Sequence, residues 1–299
     1  MTISLVGFVA VGCTDVIDRV AADTAASVTE RSKGAMLQES DIDLARAATP
    51  SGLKTLEGML VAYPGHRGLL ELVAETVCQY GAGFLQDDWE AARLRGDRQE
   101  AGQHRASARR ILARCINYGL MLLGQDWADA LWRDPDALPA LLAAAGPDQV
   151  SGVLWVAVGL AVIIGMHPDD LALAGRIGQV RAMLERVVAV DERIADGLPH
   201  MTLGILYSAQ SAAVGGNPER GRRHLERARA ITGDKSLMID VMIARYYAVI
   251  TRDRALFRRL LVDVLRTAPS IWPENRLSNE FAHRKARRYL RHERRWFAR

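Results

Sequence analysis

Lysine is scarce in this chain. Only Lys33, Lys54, Lys235 and Lys285 occur among 39 basic residues, and the other 35 are Arg spread over many segments. A dispersed excess of this kind fits a high-GC coding bias. It lacks the clustered stripe that a nucleic-acid surface requires, so nucleic acid is not an expected partner. The net charge of +4 is unevenly placed. Residues 284–299 hold eight Lys/Arg and one acid, leaving the remainder at −3 with 31 basic and 34 acidic residues. No uninterrupted apolar run reaches the ~18 residues of a transmembrane helix. Strand signals are absent, since no stretch alternates apolar and polar residues for long beside turn residues. No Gly-x4-Gly-Lys phosphate loop and no Gly-x-Ser-x-Gly nucleophile turn occurs. What remains is ample for a packed core: 299 residues, 49% apolar and 25% charged, which excludes a disordered composition.

One helix-sized pattern recurs. Large, apolar, small, large at offsets 0, 3, 4 and 7 is found at Leu70-Val73-Ala74-Val77, then at Trp155-Val158-Gly159-Val162. It returns at His200-Leu203-Gly204-Tyr207 and Asp240-Ile243-Ala244-Tyr247. This is the first-helix template of a tetratricopeptide repeat, in which the small residue admits a second helix and the large ones fill the seam. Gly159, Gly204 and Ala244 lie 45 and 40 residues apart, longer than the repeat's usual ~34. The expected fold is all-α: a degenerate tetratricopeptide-repeat-like solenoid of antiparallel helix pairs without a sheet. Repeat helices of this type hold partners more often than they perform chemistry.

Helices are expected over 14–31, 41–62, 67–86, 150–165, 174–190, 199–214, 218–231, 235–250, 254–268 and 277–297. Pro50 kinks or restarts the second, with Thr49 as a possible N-cap. Residues 87–105 read as an exposed polar extension, and 125–148 as short helices broken by Pro135, Pro139 and Pro147. The last helix places Ala282, Ala286, Tyr289, Leu290, Trp296 and Phe297 on one face and arginines on the other. It reads as a cap with a polar outer side, or as a patch for an anionic surface.

Metal and catalytic motifs are weak. Glu280-x-x-His283 is a single copy of a motif that a di-iron bundle needs twice, with two further Glu, and reads as a helix-surface coincidence. Asp87-Asp88-Trp89-Glu90 resembles the acidic clusters with which all-α terpene-type enzymes hold magnesium-diphosphate, but its spacing differs and no second cluster appears. A solvated helix is the simpler reading. Asp169-Asp170 reads as turn and helix-start chemistry. No enzyme, cofactor or metal is expected. The candidate ligand- or pore-lining residues are Trp155, Tyr207, Arg245 and Tyr246, all on first helices of repeats. Tyr207 and Tyr247 occupy template positions where packing competes with ligand contact, whereas Arg245-Tyr246 faces away from the seam that Ala244 marks.

At the N-terminus, Ile3–Val11 is a short apolar run ending in Ala10-Val11-Gly12-Cys13. Residues 1–13 read as a lipoprotein signal with Cys13 as the lipidated residue, and 14–299 as one domain. The run is short and no Lys or Arg precedes it, departures that a start site further upstream would explain. Thr14 in place of Asp favours the outer membrane. Cys78 and Cys115 sit on separate apolar helices; they pair in an oxidising compartment or remain buried thiols.

Several stretches together resemble one family: "DLARAATPSGLKTLEGMLVAYPGHRGLLELVAE", "GVLWVAVGLAVII", "VRAMLERVVAVDE", "LGILYSAQSAAVGGNPERGRRHLERARAITG", "MIARYYAVITRDRALFRRLLVDVL" and "NRLSNEFAHRKARRYL". In order and in the Gly-Gly-Asn-Pro turn they are similar to the T-component of TRAP transporters associated with tetratricopeptide-repeat proteins. The resemblance implies a periplasmic lipoprotein, homotrimeric, with a pore through each protomer. It implies a partnership with a substrate-binding P component that serves small-molecule uptake, the ligand being an organic acid or a hydrophobic molecule. The alternative is a scaffold for envelope assembly on the same fold.

Overall fold

In this computed structural model, residues 10–212 and 215–297 are described, with side chains from Val20 onward. The order is α1 (Ala10–Leu37), α2 (Ile42–Ala62), α3 (Arg67–Gln79), a π-helical turn at Tyr80–Leu85, α4 (Gln86–Arg95) and α5 (Arg98–Leu123). Then come α6 (Gln125–Trp132), α7 (Leu138–Ala144), α8 (Pro147–Met166), α9 (Leu171–Ala174), α10 (Ile177–Asp191), α11 (Ile194–Ala209) and α12 (Pro218–Ile231). The chain closes with α13 (Leu237–Met242), a second π-helical turn at Ile243–Ala248, α14 (Arg254–Arg266), α15 (Arg276–Arg291) and α16 (Arg294–Phe297). No strand occurs among the described residues, so the all-α expectation holds. The lipoprotein signal and the Cys13 side chain lie outside the residues described in full, as does the end of the expected 199–214 helix.

Helix ends follow from their sequence. The Asp41, Asp97, Asp170 and Asp253 carboxylates accept backbone N–H groups at the starts of α2, α5, α9 and α14, as N-caps do. Asn217 does the same for α12, with Pro218 pre-set at its first position. Pro50 neither kinks α2 into two helices nor makes Thr49 a cap. The helix runs through, and the Thr49 hydroxyl donates to the Ala45 carbonyl at 2.7 Å.

The small residues mark close helix crossings. A methyl group on Gly204 would lie 2.5 Å from Leu225 Cγ and 3.0 Å from the Gly221 carbonyl; one on Gly159 would lie 2.9 Å from Cys115 Sγ. Gly197 meets Ile231 while Gly221 meets Ser208, so α11 and α12 run antiparallel. Gly119 faces Val156 while Gly159 faces Leu112, so α5 and α8 do too. The second helix against Gly159 therefore precedes it in sequence, unlike the template order. Gly204→Ala is expected to cost ~1–3 kcal/mol by overpacking. Gly58→Ala, on an open face of α2, should gain ~0.5–1 kcal/mol. Urea unfolding of both variants checks the pair of signs.

By length and composition α8 is apolar enough to cross a membrane, more so than its broken apolar run suggested. Here it is the central core helix, with 14 of its residues buried. Those residues pack against α3, α5, α10 and α11. The two ends of the chain also meet. α15 touches α1 and α2, and Phe84 packs edge-on against Phe281 at 5.1 Å. The helices thereby border a deep, half-open space.

Candidate functional site

That space is a cavity of about 2030 Å³. Its wall draws on α1, α2, α3, α8, α11, α13, α15 and both π-helical turns. Most of the wall is apolar, as at Met59, Val158, Met238 and Phe281. Among the residues expected to line it, Trp155, Arg245 and Tyr246 do so. Tyr207 does not. It is 2% exposed and lies in a stack, with the Arg220 and Arg181 guanidinium groups 4.3 and 5.0 Å from its ring and the His224 ring parallel to it at 5.6 Å.

The acidic cluster is the largest departure from expectation. Residues 87–92 are buried or half-buried rather than an exposed extension, whereas 95–99 are exposed. α4 ends at Gly96, whose φ of +88° suits glycine, and its Asp87 and Glu90 are 0% and 3% exposed. Their partners come from α15. Arg288 grips Asp87 through two hydrogen bonds, Nη1 to Oδ1 at 2.6 Å and Nη2 to Oδ2 at 2.8 Å. Lys285 Nζ reaches Glu90 Oε2 at 2.9 Å and Asp87 Oδ1 at 3.0 Å. The Tyr289 hydroxyl donates to Glu90 Oε1 at 2.7 Å. Burial alone would raise the Asp87 carboxyl, but Lys285 and Arg288 outweigh it and hold it well below the usual carboxylate range. Burial and the Glu90 charge push the Tyr289 phenol well up. So the basic residues of α15 divide: Lys285 and Arg288 are each 6% exposed, while Arg287 and Arg291 face solvent as expected. Metal chemistry at Asp87 and Glu90 finds no support, as their oxygens are taken by Lys285, Arg288 and the Tyr289 hydroxyl. Asp88 pairs with Arg46 instead. The second motif, Glu280 and His283, also divides: Glu280 accepts from Arg276, and buried His283 sits against the Thr267 carbonyl at 2.8 Å. No group of three metal-ligating side chains occurs among the described residues.

The two π-helical turns both stand on the cavity wall, through Tyr80 and Phe84 in the first and Arg245 and Tyr246 in the second. Such insertions recur at functional sites, and nothing in the sequence pattern announces them.

The family model of the TRAP transporter T-component matches residues 38–297. The chain belongs to that family. A protein of Treponema pallidum (strain Nichols), described only as uncharacterized, is 25% identical over 255 residues, which cover 84% of this chain and 78% of that one. The T-component family is a part of TRAP transport, so the cavity and its wall belong to a transport protein.

A second polar cluster lies between α11 and α12 of this T-component. His200 Nδ1 and His224 Nδ1 are 2.9 Å apart, and His200 Nε2 is 3.2 Å from Glu192. Burial first, then His200 and Arg220, pull the His224 imidazole down to about 4. Burial, partly opposed by Glu192, also lowers His200. Unfolded, each histidine would take its proton near ~6.5. Between that value and about 4 the unfolded chain binds more protons, so the stability from keeping His224 neutral is present above ~6.5 and lost as pH falls towards 4. The urea midpoint is expected to drop between pH 7.5 and 5, and His224→Gln to drop less over that interval. An equal drop in both proteins would contradict the assignment.

Proposed function

We propose that this chain is a non-enzymatic accessory subunit of a periplasmic TRAP-type transport system. In this reading it is a lipid-anchored, tetratricopeptide-repeat-like solenoid attached through Cys13, at the outer membrane, and assembled as a homotrimer. It binds the substrate-binding P component and assists uptake of an organic acid or hydrophobic small molecule. Trp155, Arg245 and Tyr246 line the route that the ligand takes.

One observation carries the reading: the chain's two ends meet beside a mainly apolar, half-open cavity of about 2030 Å³. A scaffold that displays only outer surfaces has no use for an apolar cavity of that size, whereas a ligand-handling subunit does. Family membership supports the transport setting. Affinity purification of the tagged full chain from its native membranes tests the proposal. Recovery of a TRAP substrate-binding component is expected. Recovery of envelope-assembly proteins in its place would favour the scaffold.

A further inference from the structure

The two lysines on the cavity wall are already paired with carboxylates. Lys33 meets Glu75 and Glu30, and Lys285 meets Glu90 and Asp87. Arg245 is different. It stands on the second π-helical turn and lines the cavity. Its guanidinium lies 4.7 Å from the Trp296 ring and 5.2 Å from the Tyr246 ring. Its Nε is buried and makes no hydrogen bond. No carboxylate partners it among the described residues. Glu90, on the same wall, is already engaged, because both of its carboxylate oxygens accept from α15.

Aromatic faces hold a guanidinium in place but do not accept its N–H groups in the plane of the fork. A buried donor without an acceptor is rare in native proteins and calls for an explanation. The backbone supplies an independent sign. The helix leaves regular geometry at Ile243–Ala248, where Arg245 and Tyr246 reach the wall, and π-turns of this kind cluster at functional sites. A planar, permanently charged fork fits a carboxylate with two parallel bonds. Around it the wall is apolar at Met238, Met242, Leu277 and Phe281.

We infer that Arg245 is the anion anchor of an internal binding site for a monocarboxylate with an apolar tail. The guanidinium takes the carboxylate, and the apolar wall takes the tail. The inference rests on the reading above that the cavity holds the transported ligand.

Octanoate and 1-octanol serve as probes of equal chain length, titrated calorimetrically into the full chain and into Arg245→Gln. Octanoate is expected to bind the parent protein and to weaken roughly tenfold to hundredfold in the variant, the range for losing a charge-assisted bond. Binding of 1-octanol is expected to change less than about twofold, since it lacks the anion. Failure of octanoate to bind the parent, unchanged octanoate binding in Arg245→Gln, or equal losses for acid and alcohol would each overturn the inference. If circular dichroism shows Arg245→Gln unfolded, Arg245→Lys takes its place. It keeps the charge but loses the fork, so a smaller octanoate-specific loss is expected and no loss overturns the inference. Octanoate binding that depends on Arg245 in a chain that never associates with a P component keeps the anchor and sinks the transport reading. The converse pair of results does the opposite.

Discussion

Arg288→Met is expected to lower the unfolding free energy by ~3–5 kcal/mol, the usual consequence of removing one partner from a buried ion pair. The cause is what remains behind. Asp87 is fully buried, and Arg288 supplies two of its hydrogen bonds. Lys285 is shared with Glu90 and cannot replace a bidentate fork. The paired change Asp87→Leu with Arg288→Met should recover much of the loss, because well-packed apolar replacements of buried pairs are often neutral. The sign with pH follows the same logic. The Asp87 carboxyl is depressed in the folded chain, so its stabilisation is present above ~4 and lost as pH falls through the folded value. Urea titration of the three proteins at pH 7 measures the effect. A loss under ~1 kcal/mol in the single variant would mean that water reaches Asp87. The pair joins α4 to α15, residues 201 apart in sequence, so the single variant should also loosen the cavity wall and weaken ligand binding.

Removing the Cys78–Cys115 disulfide is expected to cost about 4 kcal/mol. The bond joins α3 to α5 across a sequence separation of 37, and chain-entropy scaling gives that magnitude for such a loop. Both sulfurs are fully buried. The bond also sits beneath the α5–α8 crossing, where Gly159 leaves room for the Cys115 sulfur. Of the two fates open from sequence, pairing or separate buried thiols, the structure has pairing. An oxidising compartment is what such a bond requires. Unfolding with and without reductant, with free thiols counted by mass spectrometry, reads the cost directly. An unchanged midpoint in fully reduced protein would contradict it.

The sequence was most legible where local pattern and burial agree. Ala74 and Ala244 are fully buried, and Gly159 and Gly204 lie at crossings too tight for a methyl group. Offsets within one helix predict such seams because the face that packs repeats every 3.6 residues. Asp87 and Glu90 were illegible for the opposite reason. Their partners are 195 to 201 residues away, and local composition marks acids as solvated. One signal was present on the partner helix. Lys285, Arg288 and Tyr289 fall at offsets 0, 3 and 4, the spacing of a single helix face. That face also borders Ala282 and Ala286, both fully buried. Tyr207 matched the template and packs accordingly, which removed it from the cavity wall. The π-helical turns carry no pattern that periodicity can detect, because one extra residue in a turn leaves composition unchanged. Arg245 was legible as a charge in an apolar helix, but its lack of an acceptor was visible only in three dimensions.

The central claim, that this T-component acts with a TRAP substrate-binding component, is tested most directly by mass. Light scattering on the full chain in detergent, alone and mixed with the P component of the same genome, gives both stoichiometries. A trimer that gains P subunits is the predicted result. A monomer whose mass does not change on mixing would contradict the account and leave the cavity without a transport partner.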